Sequence, residues 1–271
     1  MRAVRLISFR IDEGPPRAGI CDGEIVHDTG LGMRDLLARG IDRVRPISRH
    51  PRAAVQPLPA VPDPGKIMCI GRNYREHAAE QGAEAPAQPL VFAKYPSALI
   101  SDGEPIRLSP LTSQVDWEAE LVVVIGRAGK HIGESSAWQH VAGYTVMNDV
   151  SARDLQRGDG QWTRAKSLDT FAPLAAELVS ADEIHDPHDL AIRCWVNDEL
   201  MQDSSTGNMI HTIPKLVAHL SQAFTLEPGD LIATGTPAGV GAFRDPPVFL
   251  RAGDVVRCQV DGVATLENPV A

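Results

Sequence analysis

Glu118 and Glu120 stand two residues apart, directly before the apolar run Leu121-Val122-Val123-Val124-Ile125. Side chains alternate across a strand, so both carboxylates project to one face. Like charges held together beside an apolar strand repel, and burial adds to the cost, unless a cation sits between them. Without one, the segment reads as a solvated strand end. Tyr144 to Val150 is a second apolar strand with a carboxylate, Asp149, near its end. Three carboxylates form an all-oxygen half-shell of the kind that selects Mg²⁺ or Mn²⁺, with Ca²⁺ also admissible, over zinc. Spacing alone does not choose the ion.

The segment Gly71 to Glu80 follows the strand candidate Lys66 to Ile70. Asn73 reads as an N-cap, with Glu76 three residues on as in a capping box. On the helix predicted over 73–81, His77 and Glu80 are i and i+3 and share a face. A carboxylate beside an imidazole orients the ring as a base toward bound water, although such a pair by itself is usually a surface contact. Arg153 and Gln156 are also i and i+3, just after the Asp149 strand. Lys166 follows soon after, and a lysine beside a metal pocket neutralises an enolate or carboxylate, or else forms a surface salt bridge. Pro228 to Gly241 reads as a turn, a strand and a glycine-rich loop whose N–H groups could hold a substrate carboxylate, with the Thr236 hydroxyl adding a bond. His185, Asp186 and His188 lie in a polar stretch containing Pro187 and read as a solvated loop, and His131 and His140 as structural or surface residues.

These groups must be positioned by short strands. The candidates are Lys66 to Ile70, Leu90 to Ala93, Ala119 to Ile125, Gly143 to Val150, Ala191 to Val196, Leu231 to Thr234 and Asp254 to Val260, with 23 Gly and 21 Pro as punctuation across the chain. Ile213, Leu216, Val217 and Leu220 make the clearest helical stripe, over 213–223. Ahead of them, strands at Ala3 to Phe9 and Ala18 to Ile25 and a helix from Gly32 to Arg39, ending at Gly40, form a small preface. Six prolines from Pro46 to Pro64 mark a linker. The expected division is a small N-terminal domain with its linker over 1–64 and a catalytic domain over 65–271, mixed α/β and mainly β.

The chain has 271 residues, 43% hydrophobic and 23% charged, with 26 Lys plus Arg against 35 Asp plus Glu and a net charge of −9. That acidity disfavours nucleic acid and anionic membrane surfaces as partners. No apolar run approaches the roughly 20 residues of a membrane span. The segment MRAVRLISFRIDEG has no long apolar stretch before a cleavage site, so no secretory leader is expected. Cys21, Cys69, Cys194 and Cys258 contain no CxxC pair and read as isolated thiols of a cytoplasmic protein. Neither GxGxxG after the first strand nor GxxxxGK[ST] occurs, which removes the nucleotide-binding readings.

GRNYREHAAE at 71–80, VFAKYPSALI at 91–100, DWEAELVVVIG at 116–126, GYTVMNDVSARDLQ at 143–156, QWTRAKSLDTFAPL at 161–174 and PGDLIATGTPAGVG at 228–241 together resemble the fumarylacetoacetate hydrolase family, in order and across nearly all of 65–271. The resemblance implies a β-roll catalytic domain, a homodimer, and Mg²⁺ or Mn²⁺ on Glu118, Glu120 and Asp149. It further implies a water-activating His77–Glu80 dyad, Lys166 as enolate support, and substrate contacts at Arg72, Tyr74, Arg153, Gln156 and Thr236. Ala175-Ala176 departs from the Gly-Pro that many members carry there. The expected activity is hydrolytic C–C cleavage of 2,4-dioxo acids of the acylpyruvate or fumarylpyruvate type, in aromatic catabolism. The same site also serves isomerases and decarboxylases of 2-oxo acids and ureidoglycolate lyases, so the fold does not choose the reaction. A non-catalytic binder of metal and carboxylate is the reading from outside enzymology.

Overall fold

A computed structural model describes residues 4–271. Its main sheet has eleven strands. From one edge the order runs Ser48–Pro51, Ile25–Asp28, Arg17–Asp22, Arg5–Arg10, Glu177–Ser180, Val141–Asn148, Ala119–Ile125, Leu231–Ala233, Ile67–Gly71 and Leu90–Lys94, with Gln56–Pro57 beside Arg5–Arg10. Within it only the Leu231–Ala233 and Ile67–Gly71 pair is parallel. A second, four-stranded sheet runs Glu199–Ser205, Ala191–Val196, Val255–Val260 and Ala264–Pro269. The architecture is mixed α/β with strands predominating. No helix among the described residues is long and apolar enough to cross a membrane.

Ala119–Ile125 and Val141–Asn148 are buried at every position, as central strands covered on both faces must be. Leu121, Val123 and Ile125 belong to the core shared with the four-stranded sheet and the helix Ile213–Ala223. Val122 and Val124 point the other way, into the cluster beneath the helix Met33–Arg39. That helix ends at Gly40, whose φ of 86° the missing side chain permits.

The strand readings shift by a few residues, and several strands lay outside them. Glu199–Ser205 and Ala264–Pro269 are edge strands of the four-stranded sheet with polar residues toward solvent, whereas Glu177–Ser180 is central and mostly buried but, at four residues, too short to give a periodic signal. Ala3, the expected start of the first strand, lies outside the described residues. The proline-rich stretch is more than a linker. Ser48–Pro51 and Gln56–Pro57 both pair as peripheral strands, where a residue lacking N–H is tolerated. Through Arg5–Arg10 and Glu177–Ser180 the main sheet runs unbroken from the first sixty residues into the rest of the chain. Cys194 and Cys258 are free thiols but not isolated ones: they are cross-strand partners with sulfurs 3.8 Å apart.

Asn73 is not an N-cap. The helix is Arg75–Glu80, capped at Tyr74 with no side-chain bond, and Glu76 turns outward to Ser204 and Asn208. Asn73 instead donates to the carbonyls of His211 and Thr234 at 3.1 and 2.8 Å and accepts the His211 N–H at 2.8 Å. Burial rewards this tertiary clamp more than a cap at an open helix end would be rewarded. Asn73→Ala leaves three buried backbone groups without partners, and the expected loss is about 2–4 kcal/mol at roughly 1–3 for each group left unsatisfied with partial relaxation. Urea unfolding followed by circular dichroism measures it, and a loss below about 0.5 kcal/mol would contradict the clamp.

Candidate functional site

Register brings the acidic residues together. Ala119 pairs with Asn148 and Glu120 with Met147, and just beyond them the Asp149 N–H donates to the Glu118 carbonyl at 2.8 Å. The Asn148 side chain adds an acceptor for the Glu118 N–H at 3.0 Å. Glu118, Glu120 and Asp149 consequently present one oxygen each within 4.8 Å of one another, and all three are buried.

Three cations balance part of this charge. Lys166 Nζ lies 2.6 Å from Glu118 Oε2 and 2.8 Å from Asp149 Oδ2. Lys94 Nζ donates to Asp149 Oδ1 at 2.6 Å and to the Val150 carbonyl at 3.2 Å. Arg153 spans Glu118 at 2.6 Å and Asp116 at 2.8 Å, and donates to Gln156 Oε1 at 3.0 Å. Burial alone would raise the Glu118 pKa, but Lys166 and Arg153 outweigh it and hold the carboxyl well below the usual range. Lys166 is likewise kept charged against burial by Asp149 and Glu118.

Glu120 is the exception. Burial, then the charges of Asp149 and Glu118, push its carboxyl well above the ordinary value. Its bond is the Gly235 N–H at 2.9 Å, and no basic side chain among the described residues bonds to it. Glu120 is therefore the corner of the triangle with no fixed cation beside it, where a hard divalent ion would favour its ionised form, and the all-oxygen donor set fits such an ion.

The sequence reading placed a substrate carboxylate in the glycine-rich loop, yet the loop's N–H groups serve the protein's own acids. Gly235 bonds Glu120, Gly239 bonds Glu80 at 3.0 Å, and Gly241 and Ala242 bond Asp116 at 2.7 and 3.0 Å. Gly235 has φ 101°, and a Cβ there would stand 2.8 Å from that of Asn73, so only glycine permits the close approach. Thr236 is committed too: it donates to the Ala119 carbonyl at 2.9 Å and accepts from Gln202 at 2.8 Å.

His77 Nδ1 is 2.6 Å from Glu80 Oε1, so the i, i+3 spacing forms the pair that the sequence suggests. A narrow cleft is lined by His77, Glu118, Glu120, Lys166, Arg153, Gln156, Arg72 and Thr236 together with Gln81, Phe92 and Trp162. Tyr74 is the one candidate the structure leaves out. Its ring is fully buried in the hydrophobic core and its hydroxyl has no partner, which suits a packing role behind Glu120 rather than substrate contact. His188, read as a loop residue, accepts the Ile213 N–H and so serves the start of the Ile213–Ala223 helix.

Sequence reasoning missed Lys94, Asp116, Gln202 and Gln81. The signal for Lys94 was available: a lysine ends an apolar strand inside a motif otherwise read for resemblance. The other three gain their roles from contacts distant in sequence or, for Gln81, from the last residue of a helix end.

Paired acids, a fixed cation pair and an oriented histidine in one small cleft define an enzyme that handles a charged small molecule. The family profile described as fumarylacetoacetate (FAA) hydrolase C-terminal matches residues 66–271. Oxaloacetate tautomerase fahd2, mitochondrial, from Xenopus laevis is 43% identical, covering 99% of this chain and 90% of that protein. Among solved structures, 2-hydroxyhepta-2,4-diene-1,7-dioate isomerase from Mycobacterium marinum superposes with a TM-score of 0.84 at 36% identity, covering 99% of this chain and 98% of that one. Maleylpyruvate hydrolase from Sphingobium sp. SYK-6 gives 0.79 at 29%, covering 98% and 99%. The chain belongs to the fumarylacetoacetate hydrolase family. The frog relative's name places that protein in mitochondria, which does not fit plainly with a cytoplasmic expectation.

Because Glu120 must lose its proton to become a ligand, divalent-ion affinity is expected to rise with pH and binding to release a proton. Titration calorimetry with Mn²⁺ in buffers of different ionisation enthalpy reads both effects. Affinity independent of pH, or retained in full by Glu120→Gln, would remove Glu120 from the ligand set.

Proposed function

We propose that this chain is a keto–enol tautomerase of a 2-oxo dicarboxylic acid of the oxaloacetate kind, using a divalent ion, Mg²⁺ or Mn²⁺, on Glu118, Glu120 and Asp149. The observation that carries the reading is the placement of a histidine base and a charged lysine on one cleft, beside the acidic triad. The name and 43% identity of the frog relative favour proton transfer over bond cleavage.

A cation held by the three carboxylates would polarise the 2-oxo carbonyl and lower the cost of enolate charge. His77 Nε2 takes the proton from the carbon next to that carbonyl, the C–H pair forms the carbon–carbon double bond, the carbonyl pair moves onto oxygen, and that oxygen takes a proton from solvent to give the enol, with the same steps reversed for ketonisation. Glu80, bound at Nδ1, fixes the tautomer with the lone pair on Nε2 and offsets the positive charge the ring acquires. Lys166 adds positive charge beside the oxygen where negative charge develops, and Arg153 with Gln156 orients the substrate from the cleft wall.

The His77–Glu80 pair also suits water activation, and maleylpyruvate hydrolase shares the fold, so hydrolysis of 2,4-dioxo acids is the second reading. In that reaction hydroxide adds to the distal carbonyl, and the bond to the enolate carbon breaks to give pyruvate and a carboxylic acid. Isomerisation, decarboxylation and ureidoglycolate cleavage remain further outcomes for the same chemistry. The reading also takes the chain as a homodimer in the cytoplasm, and light scattering tests the assembly against twice the 29.2 kDa chain mass.

The decisive assay follows the ultraviolet absorbance of enol-oxaloacetate with Mg²⁺ or Mn²⁺, alongside pyruvate release from acylpyruvates. Accelerated loss of enol is the expected result. His77→Ala should lower it by roughly 10²–10⁴-fold, the usual worth of a general base, and a non-catalytic binder would be indifferent to the change. Glu118→Gln and Asp149→Asn should abolish metal-dependent turnover. Pyruvate release without enol conversion would move the assignment to the hydrolase.

A further inference from the structure

Gln81, at the end of the Arg75–Glu80 helix, makes two bonds that the proposed reaction does not use. Its Nε2 lies 2.6 Å from His77 Nε2, and its Oε1 accepts from Arg72 Nε at 2.9 Å. A guanidinium N–H only donates, so the amide oxygen faces Arg72 and the amide NH₂ faces the imidazole. Glu80 completes the order by accepting at His77 Nδ1 and at the Gly239 N–H. Donation therefore runs one way, from Arg72 to Gln81, to His77 Nε2, and from Nδ1 to Glu80. The lone pair that must receive the substrate proton is already occupied.

We propose that Gln81 is a specificity-determining plug on His77, released when the distal carboxylate of a dicarboxylic substrate draws Arg72 away. This rests on the 2-oxo dicarboxylate reading above. Arg72 lines the same cleft, its guanidinium 5.9 Å from the Trp162 ring. A guanidinium can pair with a carboxylate through two parallel bonds that a single amide oxygen does not offer, so a dicarboxylate competes for Arg72. A monocarboxylic 2-oxo acid brings no second carboxylate, and the plug stays in place. Gly82, at φ 63°, follows Gln81 at once and gives the chain a turn where the side chain can swing clear. Selection between acids is thereby exerted on the base and not only on binding.

The test reads proton abstraction as deuterium uptake at C3 from D₂O by NMR, comparing oxaloacetate with 2-oxobutyrate in the Mn²⁺-loaded protein. Gln81→Ala, and Gln81→Met as a space-filling variant without a donor, should raise 2-oxobutyrate exchange about tenfold, the worth of one hydrogen bond, and change oxaloacetate exchange far less. A second readout needs no substrate: modification of His77 by diethyl pyrocarbonate, followed by peptide mass spectrometry, should also quicken about tenfold in both variants. Equal losses on both acids, or an unchanged modification rate, would overturn the plug. Wild-type exchange of neither acid would instead overturn the 2-oxo acid reading, and the modification rate would still decide whether Gln81 covers the base.

Discussion

The backbone bond from the Asp149 N–H to the Glu118 carbonyl ties the ends of two central strands and thereby forces three carboxylates into one buried volume. Everything around the site answers that crowding. Lys94 and Lys166 pair with Asp149, and Lys166 and Arg153 with Glu118, whose carboxyl they hold well below the usual range. Buried ion pairs of this kind give little net stability, because desolvation offsets attraction. Their use here is to leave one corner, Glu120, short of positive charge. With Asp116 included, four carboxylates face three fixed cations, so a divalent ion turns the local balance positive and suits an anionic ligand.

The glycine-rich loop extends the same logic. Its N–H groups hold Glu120, Glu80 and Asp116, so one segment positions a candidate ligand, the partner of the histidine and the partner of Arg153. The parallel pairing of Leu231–Ala233 with Ile67–Gly71 sets that loop beside the turn into the His77 helix, and Asn73 fastens the two. The acidic triad and the His77–Glu80 pair are thus coupled through backbone.

Much of this was legible in the residues. Period-two spacing put Glu118 and Glu120 on one face, and i, i+3 spacing put His77 against Glu80, because both relations are local. The central strands were readable from unbroken apolar runs, since burial on both faces removes alternation. The long-range polar contacts were not. Asn73 looks like a cap until His211 and Thr234 are brought to it. Gly235 looks like a binder of substrate until Glu120 fills it, and Tyr74 looks like a cleft residue until the core closes over it. In each case the sequence names a hydrogen-bonding capacity, and only the tertiary fold says which partner takes it.

The deep layer of the site is indifferent to the reaction. A divalent ion on the triad, with Lys166 beside it, would lower the cost of any enolate, whether it arose by loss of a proton, of carbon dioxide or of an acyl group. What distinguishes these outcomes is the group that meets the carbon from the cleft side. There, among the described residues, the base held by an oriented partner is His77, its ring edge-on to half-exposed Phe243 and its Nε2 bonded to Gln81. In the proposed tautomerisation that base exchanges a proton with carbon directly, whereas in hydrolysis it would act through a water. The shallow layer, built from residues 72–81 and the loop carrying Phe243, therefore surrounds the group on which the alternative reactions differ.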